Sequence, residues 1–398
     1  MERGFSFYLR GIFIAVAILL LFPYPGRTES YNIESKTYLL YFERDLPGET
    51  AKFLPLYEYL SGNVEGITAD GLSFHFNGWG RFDLGDDSGE DERGGDLSSA
   101  YFRYLHPEGN GEVKAGRFLL TEGIAASRVD GIFLKGRTPL GVGVSLYGGL
   151  PVEGAISGAE TGDFLGGGRI FYEVNGLLEA GVSYLWEDGN FRDGDRSDLG
   201  VDIWLRPYTL LEFSGQAGYS FATSSLAFQD YLIRLFPAQG IQVGLTYEQY
   251  KYKGFFQPAL NPAFASPALD LDDQVQVAGV FATGTFSESL SLTASLEVVS
   301  HESGKEGDAN RYSLSGEYRF EEGESFVGGS VAFVDADEGE NEYSEVRGYG
   351  TLTYRGVRMT FDGLYQRLKE AIYGEKKSYQ LTGGANYEIR ENLAVRGE

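Results

Sequence analysis

The sequence predicts an all-β fold, a transmembrane antiparallel up-and-down β-barrel of about 20–22 strands. Three observations predict it. Apolar and polar residues change places at every step in runs of about ten residues, short turns alternate with long acidic loops, and beyond residue 30 no apolar run approaches the ~20 residues of a spanning helix. Residues 210–221, LLEFSGQAGYSF, show the first of these. Leu211, Phe213, Ala217, Tyr219 and Phe221 fall on one side of a strand with Gly215 among them, and Glu212, Ser214, Gln216, Gly218 and Ser220 on the other.

Residues 1–30 read as a secretory signal peptide and 31–398 as the barrel. Arg3 and Arg10 precede the apolar run GIFIAVAILLLF (11–22), which is short for a membrane span. Removal is expected between Gly26 and Tyr31, with an N-terminal anchor as the alternative. The first strand is expected at KTYLLYFER, 36–44, followed by LPLYEYLSGNVEG and LSFHFNGWGRFDL. The alternation returns at 289–298, where Leu290, Leu292, Ala294, Leu296 and Val298 oppose Ser289, Ser291, Thr293, Ser295 and Glu297. It returns again at Tyr312, Leu314, Tyr318 and Phe320, and at Tyr379, Leu381, Ala385 and Tyr387. About 21 such segments reach the C-terminus at Glu398. An odd count leaves two readings open: the chain lacks its closing hairpin, or one segment has been split or is not a strand.

The connections carry the second observation. Short turns fall at 69–71, 107–110, 175–176, 237–239, 287–289, 321–324 and 355–356, and a longer loop is expected between each consecutive pair. The long loops are mostly acidic, as in GDDSGEDERGGD from Gly85 and DADEGENEYSE from Asp335. They read as solvated, self-repelling segments. DADEGENEYSEV places Gly339 fifth and Val346 twelfth, where a calcium loop of the EF-hand kind needs oxygen ligands.

Composition excludes several classes. With 33 basic and 58 acidic residues the net charge is −25, so nucleic acid is not an expected partner. The absence of cysteine removes thiolate metal sites, disulfides, c-type haem attachment and Cys nucleophiles. The histidines, His75, His106 and His301, lie far apart without HExxH spacing, and neither GxSxG nor a P-loop occurs. No enzyme activity, cofactor or metal is expected.

The stretches GLSFHFNGWGRFDL, LSSAYFRYLHPEGNGEVKAGRFLLTEGIAASRVDGIFL and LGVGVSLYGGLPVEG give the chain its resemblance to bacterial outer-membrane porin-like barrels. Within that class it is similar to the porin-like components of porin–cytochrome electron conduits. The resemblance implies residence in the outer membrane of a Gram-negative bacterium, contact with its lipid, and passive diffusion of small hydrophilic solutes or ions, with homo-oligomers common in the class. The alternative it implies is a barrel sheath around a multihaem cytochrome.

Candidate pore residues follow from placing the apolar face outward. Trp79, Arg81 and Asp83 then point inward on one strand, Arg103 on the next, Lys135 and Arg137 further on, and then Arg169. These early strands lean basic inside, whereas later ones carry Glu212, Glu248, Glu297 and Glu317 beside Arg234, Arg311, Arg319 and Arg358. Opposed charge across a pore would give a transverse field that selects polar solutes. Two loops stand apart. TEGIAASRVDG, 121–131, has the modest polarity of a loop that folds inward as a constriction. KGFFQPALNPAFASPALDLDD, 253–273, carries Phe255, Phe256, Leu260 and Phe264, and reads as a plug, a partner surface or a self-packed loop.

Overall fold

The computed structural model describes residues 30–46, 49–67, 70–85, 93–155, 158–161, 164–188, 195–251, 273–302, 307–320, 325–337, 341–372, 374–390 and 393–397. The expected signal peptide up to residue 29, and Phe255, Phe256, Leu260 and Phe264, lie outside them. Twenty-two strands belong to one antiparallel sheet in which chain neighbours pair, and a separate hairpin makes a second sheet of 2 strands. Among the described residues no helix is long and apolar enough to cross a membrane.

Two compact units are present, one of residues up to Leu119 with Arg128–Lys135 and Val152–Thr161, the other of Leu120–Ser127, Gly136–Pro151 and Gly162–Glu398. In the first, β1 (Ser30–Leu39) pairs along its length with β4 (Pro55–Glu65). The small hairpin of β2 (Phe42–Leu46) and β3 (Glu49–Phe53) lies between them in sequence. The expected single strand over 36–44 is therefore corrected: β1 ends at Leu39, and 42–46 pairs elsewhere. β5 (Leu72–Asp83), β6 (Arg93–Leu105) and the first half of β7 (Gly111–Glu122) follow by antiparallel pairing, and part of β8 (Ala125–Arg137) belongs to the same unit.

β9 (Val142–Ala155) pairs at its end with β10 (Gly158–Thr161) in the first unit and over Val142–Gly149 with β11 (Leu165–Val174) in the second; the two registers run on along β9, so β10 and β11 count as one strand and the sheet has 21 among the described residues. The ladder continues strand by strand through β12 (Leu178–Glu187), β13 (Arg196–Tyr208), β14 (Leu211–Ser220), β15 (Ser225–Ala238) and β16 (Ile241–Lys251). It proceeds through β17 (Gln274–Thr285), β18 (Leu290–His301), β19 (Ala309–Arg319) and β20 (Phe326–Ala336). It ends with β21 (Tyr343–Tyr354), β22 (Val357–Ile372), β23 (Glu375–Arg390) and β24 (Leu393–Gly397). Among the described residues no register joins β24 to β1.

The alternation read from the sequence is the alternation of the sheet. Val142, Val144 and Leu146, Ile170 and Tyr172, Val182 and Tyr184, Leu199 and Val201 are all exposed on one face, while Ser145, Arg169, Ser183 and Asp198 are buried on the other. A face of large exposed apolar side chains running from strand to strand is what a lipid-facing surface requires and what a water-facing one avoids. The turn at 355–356 shows why its sequence marks it. Arg355 and Gly356 have φ of 50° and 79°, the two positive values of the hairpin turn that matches strand twist.

The expected regularity of long loops at one end holds only in part. Tight connections join β7 to β8 at 123–124 and β14 to β15 at 221–224. The expected loop over 121–131 is corrected most sharply, because β7 runs to Glu122 and β8 starts at Ala125. Ile170→Arg or Val182→Arg, which place a charge on the apolar face, are expected to lower folding stability in lipid vesicles by about 2–4 kcal/mol at mid-membrane depth. Gln216→Arg on the polar face should stay within about 1 kcal/mol in the same denaturant titration.

Candidate functional site

The site grows from the β7–β8 hairpin. Arg117, Arg128 and Asp130 share strand parity with Leu119, Ile132 and Leu134, so in an ordinary wall strand they would face lipid, where charge is expensive. They do not stand alone. Arg117 makes a two-pronged ion pair with Asp130, its Nε donating to Oδ1 at 2.7 Å and its Nη2 to Oδ2 at 2.6 Å. Arg128 reaches Asp96 through Nη1 and donates from Nε to the Val152 carbonyl at 3.4 Å. Asp96 is in register with Trp79, on the polar face of β6. This part of β8 therefore lies on the inner side of β6, and β10 lies against β6 as well. Gly116 starts the departure. Its φ of 125° is open to glycine, and a Cβ there would sit 2.4 Å from the Ala100 carbonyl oxygen.

In the second unit the tip of the hairpin, Glu122 to Ala125, is packed on the polar face of β11, β12 and β13. The Ile124 amide donates to Ser183 Oγ at 3.1 Å. Glycine makes the seat: a Cβ on Gly200 would fall 1.8 Å from Ile124 Cγ2. Gly123 forms the turn with φ of 60°, against Ser183.

Arg169 binds the tip to the strands around it. Its Nη1 donates to Glu122 at 3.3 Å, Nη2 to Glu179 at 2.8 Å, and Nε to Asp202 at 3.1 Å, with a further Nη2 bond to the second Asp202 oxygen. The side chains of Arg169 and Glu122 are each only 5% exposed. The guanidinium lies over Gly181, where a Cβ would be 2.3 Å from Nε. A forked cation with five donors suits three carboxylates, and a lysine would not span them equally. Deleting Arg169 would leave Glu122 buried without its cation, a loss of about 3–5 kcal/mol in comparable buried pairs.

Beside this cluster opens a cavity of about 320 Å³ lined by Glu179, Asp202, Trp204, Ser214, Gln216 and Asp230. The register carries the acidic row on: Asp202 opposes Gln216, Gln216 opposes Asp230, and Asp230 opposes Glu248. Three carboxylates around one guanidinium, with Asp230 and Glu248 beyond, leave negative charge in surplus here.

The other expected residues share the polar face but are matched locally. Trp79 packs 6.3 Å from Tyr57, Arg81 lies 3.9 Å from Asp83, and Asp83 Oδ1 accepts from the amides of Leu54 and Gly85 at 2.9 Å each. Arg103 pairs with Glu112 at 2.6 Å and Arg137 with Glu173 at 2.5 Å. Lys135 is half-buried on the face of Phe133 and Arg137. Arg234 pairs with Glu212 and Arg319 with Glu317, both at 2.8 Å. The expected basic lean of the early strands is thus offset by carboxylates two residues away, as at Asp83, or on other strands, as at Glu112 on β7 and Glu173 on β11. His75 meets Ser73 at 2.9 Å and His301 meets Asp273 at 3.1 Å. Among the described residues no group of three or more His, Asp or Glu is placed to hold a metal.

Sequence reading missed Glu122, Glu179 and Asp202 as partners of Arg169. The signal that marks the hairpin was present, namely three charges at lipid parity in 117–130. Replacing Ser183 by Ala removes the acceptor of the Ile124 amide, and Gly200→Val fills the seat. Both are expected to speed amide hydrogen exchange at Ile124, with the valine the larger effect and exchange in β18 unchanged.

No known family model matches the chain, and none of the curated proteins matches it. Solved structures do. The chain is similar to Acinetobacter baumannii OccAB1 at 11% identity and a TM-score of 0.46, covering 92% of this chain and 96% of that one. It is similar to Pseudomonas aeruginosa OccD3 (OpdP) at 12% identity and a TM-score of 0.47, covering 89% and 90%. An anion-selective porin from Comamonas acidovorans matches at 12% identity and a TM-score of 0.36, covering 78% and 90%.

Proposed function

We propose that this chain is an outer-membrane channel of a Gram-negative bacterium, through which small hydrophilic solutes or ions diffuse passively, with the β7–β8 tip as its constriction. The observation that carries the reading is that one set of strands exposes a continuous apolar face while a charged hairpin packs on the opposite, polar face. A soluble sheet has no use for the first, and a solid core has no use for the second. The chemistry of the polar face is that of a passage. Many of its charges are held in ion pairs, with a surplus of carboxylates beside Arg169.

A sheath around a multihaem cytochrome would need its polar face open to a cargo. On β11, β12 and β13 that face is taken by the tip.

The surplus carboxylates beside Arg169 give the channel a preference for cations, since a row of one charge raises the local concentration of its counter-ion. Purified protein alone in a planar lipid bilayer is expected to carry a stable open current, and a closed bilayer over folded protein would contradict the reading. Under a potassium chloride gradient the reversal potential should be cation-selective. Asp230→Asn with Glu248→Gln should move it toward anions. Reversing Arg81, Lys135 and Arg137 to Glu should move it the other way, further toward cations.

A further inference from the structure

We propose that Arg169 is a positioning residue that latches the β7–β8 tip in place and so sets the size cut-off of the passage, rather than a cationic site that solutes touch. The inference rests on the channel reading for its consequence, and on the geometry alone for the latch.

Four N–H donors of Arg169 are already engaged by three carboxylates. The group is 5% exposed. It therefore presents almost no surface to a passing anion. What it does is join the tip, through Glu122, to the paired strands β12 and β13, through Glu179 and Asp202. β12 and β13 are paired along both edges, so neither can move alone. The tip is tied to these strands by Arg169, by the amide bond from Ile124 to Ser183, and by Ile124 in the seat that Gly200 leaves open. Without the cation, the carboxylates of Glu122, Glu179 and Asp202 would repel one another. Glu122, on the tip, would leave and carry the tip with it.

The latch predicts a pattern that a solute-contacting charge would not give. Arg169→Gln makes the cluster more negative by one charge and Glu122→Ala makes it less negative by one. As a latch, both release the tip, so both should raise single-channel conductance about twofold and admit larger neutral sugars in liposome swelling. As a direct contact, the two would move the reversal potential in opposite directions with conductance and cut-off unchanged. That result would overturn the proposal.

A second readout is independent of conduction. The chain has no cysteine, so Ala125→Cys, at a side chain that is 1% exposed on the tip, introduces a single thiol. Its reaction with a water-soluble maleimide should be slow in the otherwise unchanged protein and at least about tenfold faster with Arg169→Gln or Glu122→Ala, with Arg169→Lys restoring part of the protection. Equal labelling rates in all of these would overturn the latch whether or not the protein conducts. Faster labelling in a protein that carries no current would keep the latch and contradict the channel. Glu122→Ala leaves every wall strand intact, so the test stands even if Arg169→Gln fails to fold.

Discussion

A peptide group inside hydrocarbon has no water to bond to, and each unpaired N–H or C=O there costs several kcal/mol. That constraint organises the rest of this molecule. It requires that every strand be paired on both edges through the membrane, which the consecutive antiparallel ladders provide for β11 to β23 in the second unit. Once the backbone is fixed as a pleated sheet, side chains have two directions open to them. Apolar residues take the one toward lipid, and polar residues take the other. The composition follows, with 27 Tyr, 28 Phe and 56 Gly among 398 residues supplying broad apolar side chains and tight turns.

The β7–β8 hairpin shows the same constraint from the other side. Arg117, Arg128 and Asp130 occupy positions that would face lipid in a wall strand, and the chain meets that conflict by leading the segment to the inner side of β6, where Asp96 and the Val152 carbonyl receive Arg128. At the tip, side chains add to the pairing of the hairpin: one buried guanidinium, one hydroxyl, and the seat that Gly200 leaves for Ile124. The position of the tip against β12 and β13 is set by a few directional bonds, which is why single substitutions there are expected to shift the tip without unfolding the sheet.

How much of this was legible in the sequence varied with the range of the interactions involved. Alternation is local, so Leu211, Phe213, Ala217 and Tyr219 declared their face without reference to the rest of the chain. Turns marked by glycine were legible for the same reason, as at Arg355 and Gly356. The connection at 221–224 was less so, because its positive φ falls on Ser224, at 52°, with no glycine to announce it. The break after Leu39 was hidden because Leu40, Tyr41 and Phe42 continue the apolar character of β1 into a separate hairpin. Arg169 was recognised as inward-facing, but its partners lie 10, 33 and 47 residues away. Nothing local to GGRIFYEV names them. The same non-locality misled the reading of net charge. Arg103 and Arg137 look unopposed along their own strands, yet Arg103 finds its carboxylate on the paired strand β7 and Arg137 on β11.

The claim on which the account rests is that the two faces of each strand meet different solvents, lipid on one side and water on the other. The direct measurement is a cysteine scan of β14 in the cysteine-free chain, reconstituted in vesicles, with each thiol tested against a water-soluble maleimide and against a quencher carried in the lipid tails. Residues 212, 214 and 216 should react from water and escape the lipid quencher, while 213, 217 and 219 should do the reverse, giving a period of two along the strand. Uniform reaction from water at all six positions would contradict the account, because it would mean that no face of this sheet lies in a membrane.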